Sequence, residues 1–147
     1  KPALVLWSVI GALALLFLTN ALSGPVPRIP AGAPGAFATL RTTAPDLAKF
    51  LLELTSPQHL DPVFMAEMTS PQVQSGENQS WGLGIGIQHG SQGDVLWHHG
   101  NNADFRALMA INQEQRNGAV ILTNGEHGAA LANEIADRAL TELSRQE

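Results

Sequence analysis

The chain has 147 residues, of which 44% are hydrophobic and 14% charged, with 8 basic against 13 acidic side chains. This length fits one globular domain with an additional segment, and the composition is too apolar for a wholly disordered chain. The formal net charge of −5 argues against electrostatic binding of nucleic acid, which is not an expected partner. The absence of cysteine excludes disulfides, thiolate metal ligands and a cysteine nucleophile.

The additional segment lies at the start of the chain. Residues 3–22 contain no charged side chain, and about 20 apolar residues in a helix are enough to cross a hydrocarbon core of roughly 30 Å. We therefore predict a transmembrane or signal-anchor helix over residues 1–23, which would hold the chain at a membrane and leave its lobe extracytoplasmic. Two alternatives remain open, namely a cleaved signal peptide ending at 21–23 and a buried core helix.

The next segment, residues 24–40, begins with a run rich in proline and glycine. Such a run cannot sustain a helix or a central strand, so it predicts an extended linker or docking arm. The remaining residues, 41–147, are predicted to form the folded lobe. Within it, Thr43 and Asp46 form a helix-capping pattern ahead of apolar residues at helical spacing, which predicts a helix over about 44–55.

A shorter helix is predicted over residues 61–68, and beyond a polar stretch the apolar residues alternate. This alternation predicts four strands, over 81–87, 95–98, 105–111 and 119–123. In the first strand glycines fill one face, so some other group is expected close above them. A closing helix over 129–143 would place an inward stripe on the sheet, made of Leu131, Ile135, Ala139 and Leu143.

These elements predict an α+β fold, in which an antiparallel sheet of about four strands is covered on one face by the helices. The most polar segment lies between the second and third strands, where His98 and His99 precede two asparagines and Asp104. Adjacent histidines on a strand point to opposite faces, and no second ligand lies at a metal-binding spacing, so neither a metal nor a cofactor is expected. The alternative to a functional role is a loop capped by Asn and Asp side chains, with His98 half buried.

Four blocks of the sequence, in this order, resemble the C-terminal half of the serine β-lactamase-like hydrolases. They are AFATLRTTAPDLAKF at 36–50, WGLGIG at 81–86, HHGNNADFR at 98–106 and GAVILTNG at 118–125. That family includes class C β-lactamases, penicillin-binding D-alanyl-D-alanine carboxypeptidases and related esterases, and the resemblance covers about residues 25–143. It implies that His98, His99 and Gly100 are the His-x-Gly triplet on the strand that borders the active site, where they help to orient the substrate. Asn102 beside them is a further candidate for substrate binding.

The family's nucleophile and base have no counterpart in this chain. The nucleophile belongs to a Ser-x-x-Lys motif and a second acid/base to Tyr-x-Asn, but the chain has no tyrosine, and Asp46 stands three residues before Lys49. Ala103-Asp104 also replaces the Pro-Gly that is frequent in the family. No catalytic residue is therefore expected here.

Two accounts of the function follow from this absence. The chain is either the C-terminal lobe of a membrane-associated hydrolase of β-lactams, D-Ala peptides or small esters, inactive alone, or a membrane-anchored, non-catalytic binding module derived from that family. On either account an open sheet edge is expected, where a separate N-terminal catalytic half binds or the chain self-associates.

Overall fold

Two helices open the part of the chain that the computed structural model describes, residues 39–142. Helix α1 spans Ala44–Thr55 and begins at Thr43, whose hydroxyl accepts a hydrogen bond from the Asp46 N–H. Helix α2 spans Pro62–Met68 and begins at Asp61, whose carboxylate accepts from two N–H groups of the first turn. Side-chain acceptors at these positions satisfy backbone donors that a helix leaves unpaired. Both helices confirm the prediction from the sequence.

An antiparallel sheet of six strands follows, with neighbours in the order of the chain. The strands are β1 Val73–Gly76, β2 Gln79–Trp81, β3 Gly86–Gln88, β4 Val95–Asn102, β5 Phe105–Asn112 and β6 Gly118–Thr123. Helix α3, Gly128–Glu142, closes the described part. The fold is α+β as predicted, but the described part of the chain contains six strands in this sheet, where the sequence predicts about four.

The two additional strands arise where the sequence pattern is misleading. The polar stretch 72–80 contains the β1–β2 hairpin, and because every residue of β1 is exposed, that strand has no apolar alternation to detect. The predicted single strand over 81–87 is wrong, since the chain turns between β2 and β3. Gly84 adopts a left-handed φ of 81° in this turn. A Cβ on Gly82 would lie 2.2 Å from the Met68 carbonyl oxygen, so the turn packs directly against the end of α2.

The helices cover both faces of the sheet, so the prediction of one covered face is also wrong. Helices α1 and α2 pack their apolar residues on the face that carries Met109. Helix α3 packs Ala132 and Ala136 on the opposite face, against Leu108. Met109 and Leu108 are neighbours on β5, and successive side chains of a strand point to opposite faces. Strand β5 therefore lies between two apolar layers.

The inward stripe of α3 differs from the predicted one. Ala132 and Ala136 are buried, whereas Leu131 and Ile135 are 53% and 42% exposed. The buried stripe is displaced by one residue around the helix because alanine, without a long side chain, lets the helix approach the sheet closely. The prediction is therefore wrong for Leu131 and Ile135, and Leu143 lies outside the described residues.

The predicted membrane segment over residues 3–22 and most of the linker over residues 24–40 also lie outside the described residues. From Thr39 to Glu142, none of the helices combines the length and the hydrophobicity that a bilayer span requires. The predictions for the first part of the chain therefore stay predictions.

Candidate functional site

The polar residues from His98 to Asn102 lie on strand β4 and not in a loop. Strand β4 pairs with β5 along its whole length, so that Asn102 faces Phe105 and only Ala103 and Asp104 form the turn. The predicted strand over 95–98 is too short, and the interpretation of the following residues as a capped loop is wrong. Pairing with the apolar strand β5 keeps this polar segment extended.

Strand β4 extends past its other neighbour. Strand β3 pairs with β4 only through Gly86, Ile87 and Gln88, which face residues 95–97. From His98 to Asn101, β4 has no strand beside it on the β3 side among residues 39–142. Antiparallel strands direct the backbone N–H and C=O groups of alternate residues to each side. Part of this backbone therefore faces an open edge, to which an extended chain could add as a further strand.

The two histidines of this edge point to opposite faces, as the sequence predicts. His98 lies opposite Met109, and His99 lies opposite Leu108. The His98 Nδ1 atom is 2.9 Å from the Gly84 carbonyl oxygen. Because a carbonyl oxygen only accepts hydrogen bonds, Nδ1 carries the proton, which leaves Nε2 as an acceptor when the ring is neutral. Within 39–142 no group of three or more His, Asp or Glu side chains is arranged to hold a metal ion.

A groove of about 270 Å³ lies on the His99 side, between the ends of β4 and β5 and helix α3. Small residues form much of its lining, and the polar groups are His99, Asn101, Arg106 and Asn133. The His99 Nε2 atom lies 3.3 Å from the Asn133 Oδ1 atom, which joins the strand to the helix. The Arg106 guanidinium donates to the carbonyl groups of Ala103 and Phe105 and so stabilises the turn.

Two tryptophans support the histidines from the neighbouring strands. Trp81 and Trp97 flank Gly86 in register across β2, β3 and β4, and their ring centroids are 5.1 Å apart in an edge-to-face arrangement. A Cβ on Gly86 would lie 2.4 Å from the Trp97 ring. The expected group above the glycine face is therefore an indole at this position. The Trp97 ring also lies 4.9 Å from the His99 ring, and the Trp81 ring 6.1 Å from the His98 ring.

Lys49, the lysine of helix α1, is unsuited to act as a base. It is exposed and forms an ion pair of 2.8 Å with Asp46. The hydrogen bond with this carboxylate raises the pKa of Lys49, whereas a lysine that accepts protons near neutral pH needs a lowered pKa. Asp46 in turn belongs to the helix cap. This pair therefore offers no substitute for the family's Ser-x-x-Lys motif.

The structure adds polar and aromatic neighbours that the sequence does not single out. Trp97 and Arg106 flank the histidine segment, and their proximity to it could have indicated a role. Asn133 lies 34 residues after His99, and no local pattern connects the two. The only sequence signal is that Asn133 follows a small residue, Ala132, which helix α3 turns towards the sheet. The assignment of His98, His99, Gly100 and Asn102 to substrate binding stays a prediction.

The similarity to known proteins agrees with this architecture. The family model described as Beta-lactamase matches residues 18–143. Among solved structures, a penicillin binding protein from Bacillus halodurans is similar with a TM-score of 0.57 and 19% sequence identity over 63% of this chain. The match covers 29% of that protein, so this chain corresponds to less than a third of its length. No curated protein matches the sequence. On the extent of the family match, the chain belongs to the beta-lactamase family.

Proposed function

We propose that this lobe forms one wall of the substrate site of a serine β-lactamase-like hydrolase, and that His98, His99, Gly100 and Asn102 bind the substrate. One observation carries the proposal: β4 continues past β3 and leaves the edge from His98 to Asn101 without a neighbouring strand among the described residues. Both histidines on this edge are exposed. The substrates would be acyl compounds, namely β-lactams, D-Ala peptides or small esters.

The chemistry of the edge supports recognition rather than reaction. Backbone amides of a strand edge can hold a substrate carbonyl or amide group, in the way that an added β-strand is bound. Gly100 has no side chain, and a Cβ there would lie 3.1 Å from the Ala107 Cβ atom. Glycine therefore keeps the pairing of β4 with β5 close beneath the edge. The imidazole rings of His98 and His99 add hydrogen-bonding groups on either face.

Hydrolysis requires groups that this chain lacks. The sequence contains no tyrosine and no Ser-x-x-Lys, and without a base no serine hydroxyl is activated for attack on an acyl group. A second polypeptide region with both motifs would supply the nucleophile and the base. We infer that the chain is inactive alone and that the N-terminal catalytic half is its partner.

The outer edge of β6 is a suitable place for that partner. Strand β6 is the last strand of the sheet among residues 39–142, and its sequence, Gly118 to Thr123, contains no charged residue and no proline. Natural edge strands usually carry such residues to prevent unwanted pairing. Leu122 on this strand is exposed on the face opposite helix α3, because its neighbour Ile121 packs against that helix. Without a partner, the same surface would drive self-association.

Membrane attachment is a separate part of the proposal. The uncharged run over residues 3–22 would anchor the lobe on the extracytoplasmic side. It also motivates the second candidate function, a membrane-anchored binding module that uses the same β4 edge without chemistry. The reading frame upstream of Lys1 separates the two candidates, since a frame that encodes Ser-x-x-Lys and Tyr-x-Asn supports the hydrolase and a start codon beside Lys1 supports the module.

Binding to the β4 edge can be tested on the full chain with benzylpenicillin and with a peptide that ends in D-Ala-D-Ala. We expect NMR shifts centred on His98–Asn101, and an affinity about two- to tenfold lower in H98A and H99A, the loss of roughly one hydrogen bond. The matched control is H127A, because His127 is exposed in the loop before α3 and lies outside the edge. Shifts that map elsewhere, or equal affinities of all three variants, would contradict the assignment.

The missing chemistry is tested with a fluorescent penicillin and intact-mass measurement. The chain alone should give no covalent adduct and no hydrolysis of aryl esters. Addition of an N-terminal half that carries both motifs should restore an acyl adduct on that half, whereas the binding-module candidate predicts none. A stoichiometric adduct on any serine of this chain would refute the inference of inactivity.

A further inference from the structure

A chain of hydrogen bonds, here called the His89 network, runs across the sheet away from the β4 edge. The Ser80 Oγ atom lies 3.3 Å from Gln74 Oε1 and 2.8 Å from His89 Nε2. On the other side of the ring, His89 Nδ1 lies 3.0 Å from Asp94 Oδ2. The network thus joins both strands of the β1–β2 hairpin to the loop that connects β3 and β4.

The order of atoms is that of a Ser-His-Asp hydrolase triad, but burial argues against a catalytic role. Ser80 is 1% exposed, and its hydroxyl is in contact with the Gln74 amide and with the His89 ring. A substrate carbonyl must approach a nucleophilic oxygen to within about 3–3.5 Å, and these neighbours occupy that space. The network therefore has a structural role, and the number of hydrogens it contains determines how many hydrogen bonds attach the β1–β2 hairpin to the β3–β4 loop.

The orientation of the Gln74 amide is fixed by its other contacts. Gln74 Nε2 donates to the carbonyl oxygens of Gly76 and Glu77. A flipped amide would place an acceptor against two acceptors, so Oε1 must face Ser80. Gln74 Oε1 and an ionised Asp94 are both acceptors only. All hydrogens of the network therefore come from Ser80 and His89.

The number of contacts that contain a hydrogen depends on the protonation of His89. The network has three contacts, and each one needs a hydrogen between its two atoms. A neutral imidazole supplies one and the Ser80 hydroxyl another, so one contact lacks a hydrogen. A doubly protonated His89 supplies two, and all three contacts are then filled, with Nδ1–H donating to Asp94, Nε2–H to Ser80 and the hydroxyl to Gln74.

We propose that the His89 network is a proton-operated latch on the β1–β2 hairpin. Uptake of one proton at His89 completes the network and fixes the hairpin, and release of that proton leaves one contact open and loosens it. The protonated ring makes one hydrogen bond more in the folded hairpin than the neutral ring does, so the hairpin should be held more firmly at the lower pH and more loosely at the higher pH.

The charged groups around the His89 ring are acidic. Asp94 contacts it directly, and Glu77 is the single ionisable residue in the β1–β2 hairpin. From the β5–β6 loop, the Glu114 side chain lies against Gly93, beside Asp94. The basic residue of that loop, Arg116, forms no hydrogen bond or ion pair with the network.

Apart from this network, the hairpin is held by short strand ladders and by the Gln88 side chain, which accepts from the Gln79 amide and donates to the Asn78 carbonyl oxygen. Three residue pairs with an irregularity at Gly76 join β1 to β2, and three pairs join β2 to β3. All residues of β1 are exposed. Segments with few buried contacts open locally at low free energy. The hairpin also carries Trp81, whose ring contacts Trp97 and His98, so the latch reaches the β4 edge.

The test uses the full chain at about pH 5.5 and about pH 7.5. Imidazole 15N NMR should show both His89 nitrogens protonated at the lower pH. Hydrogen exchange over residues 73–81, corrected for intrinsic rates, should be about three- to tenfold slower at the lower pH, as expected from one added hydrogen bond. In H89Q and in S80A this pH dependence should disappear, and in H127Q it should remain because His127 lies outside the network.

Two outcomes of these measurements would contradict the proposed latch. A singly protonated His89 at the lower pH, under conditions where His127 is charged, would overturn the proposal. So would a pH dependence of hairpin exchange that is the same in S80A as in the unaltered chain. S80A adds no bulk to the buried site, and its native NMR spectrum provides the check that the fold is retained. The proposal is independent of the chain's proposed role in hydrolysis.

Discussion

Substitution of Gly86 by alanine tests the packing beneath the candidate site. A Cβ at this position would lie 2.4 Å from the nearest atom of the Trp97 ring, whereas unstrained carbon contacts are about 3.5–4.0 Å long. The ring would have to move by about 1 Å or more. Overpacking of this kind costs about 1–3 kcal/mol, and loss of the edge-to-face contact with Trp81 adds about 0.5–1.5 kcal/mol. We expect G86A to lose about 1.5–4.5 kcal/mol of unfolding free energy.

Urea unfolding gives this free energy, and near-UV circular dichroism reports the packing of the two indoles. The matched control is G125A, because a Cβ on Gly125 meets no atom within 4 Å, and its unfolding free energy should stay within about 0.5 kcal/mol of the unaltered chain. In a background in which Trp97 is replaced by leucine, G86A should cost much less, since contacting residues do not act additively.

A G86A protein as stable as G125A, with an unchanged near-UV spectrum, would refute this reasoning. Equal losses in the Trp97 and leucine backgrounds would also refute it, because the clash would then not involve the indole. The substitution also reaches the candidate site. Trp97 lies 4.9 Å from the His99 ring, so displacement of the indole should weaken ligand binding at the β4 edge in G86A and leave it unchanged in G125A.

Two further predictions concern the ends of elements. The His59 ring and the backbone N–H groups of His59 and Gln58 lower the pKa of Glu53 to about 2. The stabilising effect of the Glu53 carboxylate is therefore present above about pH 4.5 and lost as the pH falls towards about 2. Thermal unfolding between pH 7 and pH 2 should show a smaller acid dependence in E53A than in the control E67A. Arg116 holds a left-handed φ of 57°, which costs a non-glycine residue about 1–2 kcal/mol; R116G should raise the unfolding free energy by up to about 1 kcal/mol in urea titrations, and a loss of stability would contradict this.

The sequence predicts the elements whose signals are local. The capping pattern of Thr43 and Asp46 lies within one turn of the helix that it begins, and α1 has the predicted bounds. Strands β5 and β6 alternate between two covered faces, and they too lie close to the predicted residues. In each case the residues that define the element also provide the contacts that stabilise it. The local sequence is therefore sufficient to predict these elements.

Elements that depend on distant residues are not predictable in this way. Strand β1 is exposed throughout and is extended because β2 pairs with it. The spacing of bulky residues predicts an inward stripe of α3 that includes Leu131 and Ile135, but Ala132 and Ala136 face the sheet. A periodic pattern indicates that a helix has an apolar side. It does not determine whether large or small residues face the sheet, because that depends on how closely the helix can approach.

The same reasoning explains why the residues of the candidate site can be predicted from the sequence, whereas their strand conformation cannot. The chemistry of His98 and His99 distinguishes them in the sequence, whereas the sequence pattern predicts that their strand ends at 98. Alternation of apolar and polar residues marks a strand only where one face is covered. On β5, Leu108 to Asn112 are buried, but Phe105 is 63% exposed, and it is this uncovered end that pairs with Gly100 to Asn102.

Strand β4 therefore changes character where the apolar layers end, while its backbone continues in the sheet. Up to Trp97 its side chains contribute to the interior. From His98 onwards the side chains on both sides of Gly100 are exposed, while the backbone remains paired with β5. Polar groups on a rigid strand are positioned more accurately than polar groups on a loop. A strand that leaves the core can thus appear in the sequence as a run of polar residues that contains no proline. Such a strand suits a site that holds an extended substrate in one register.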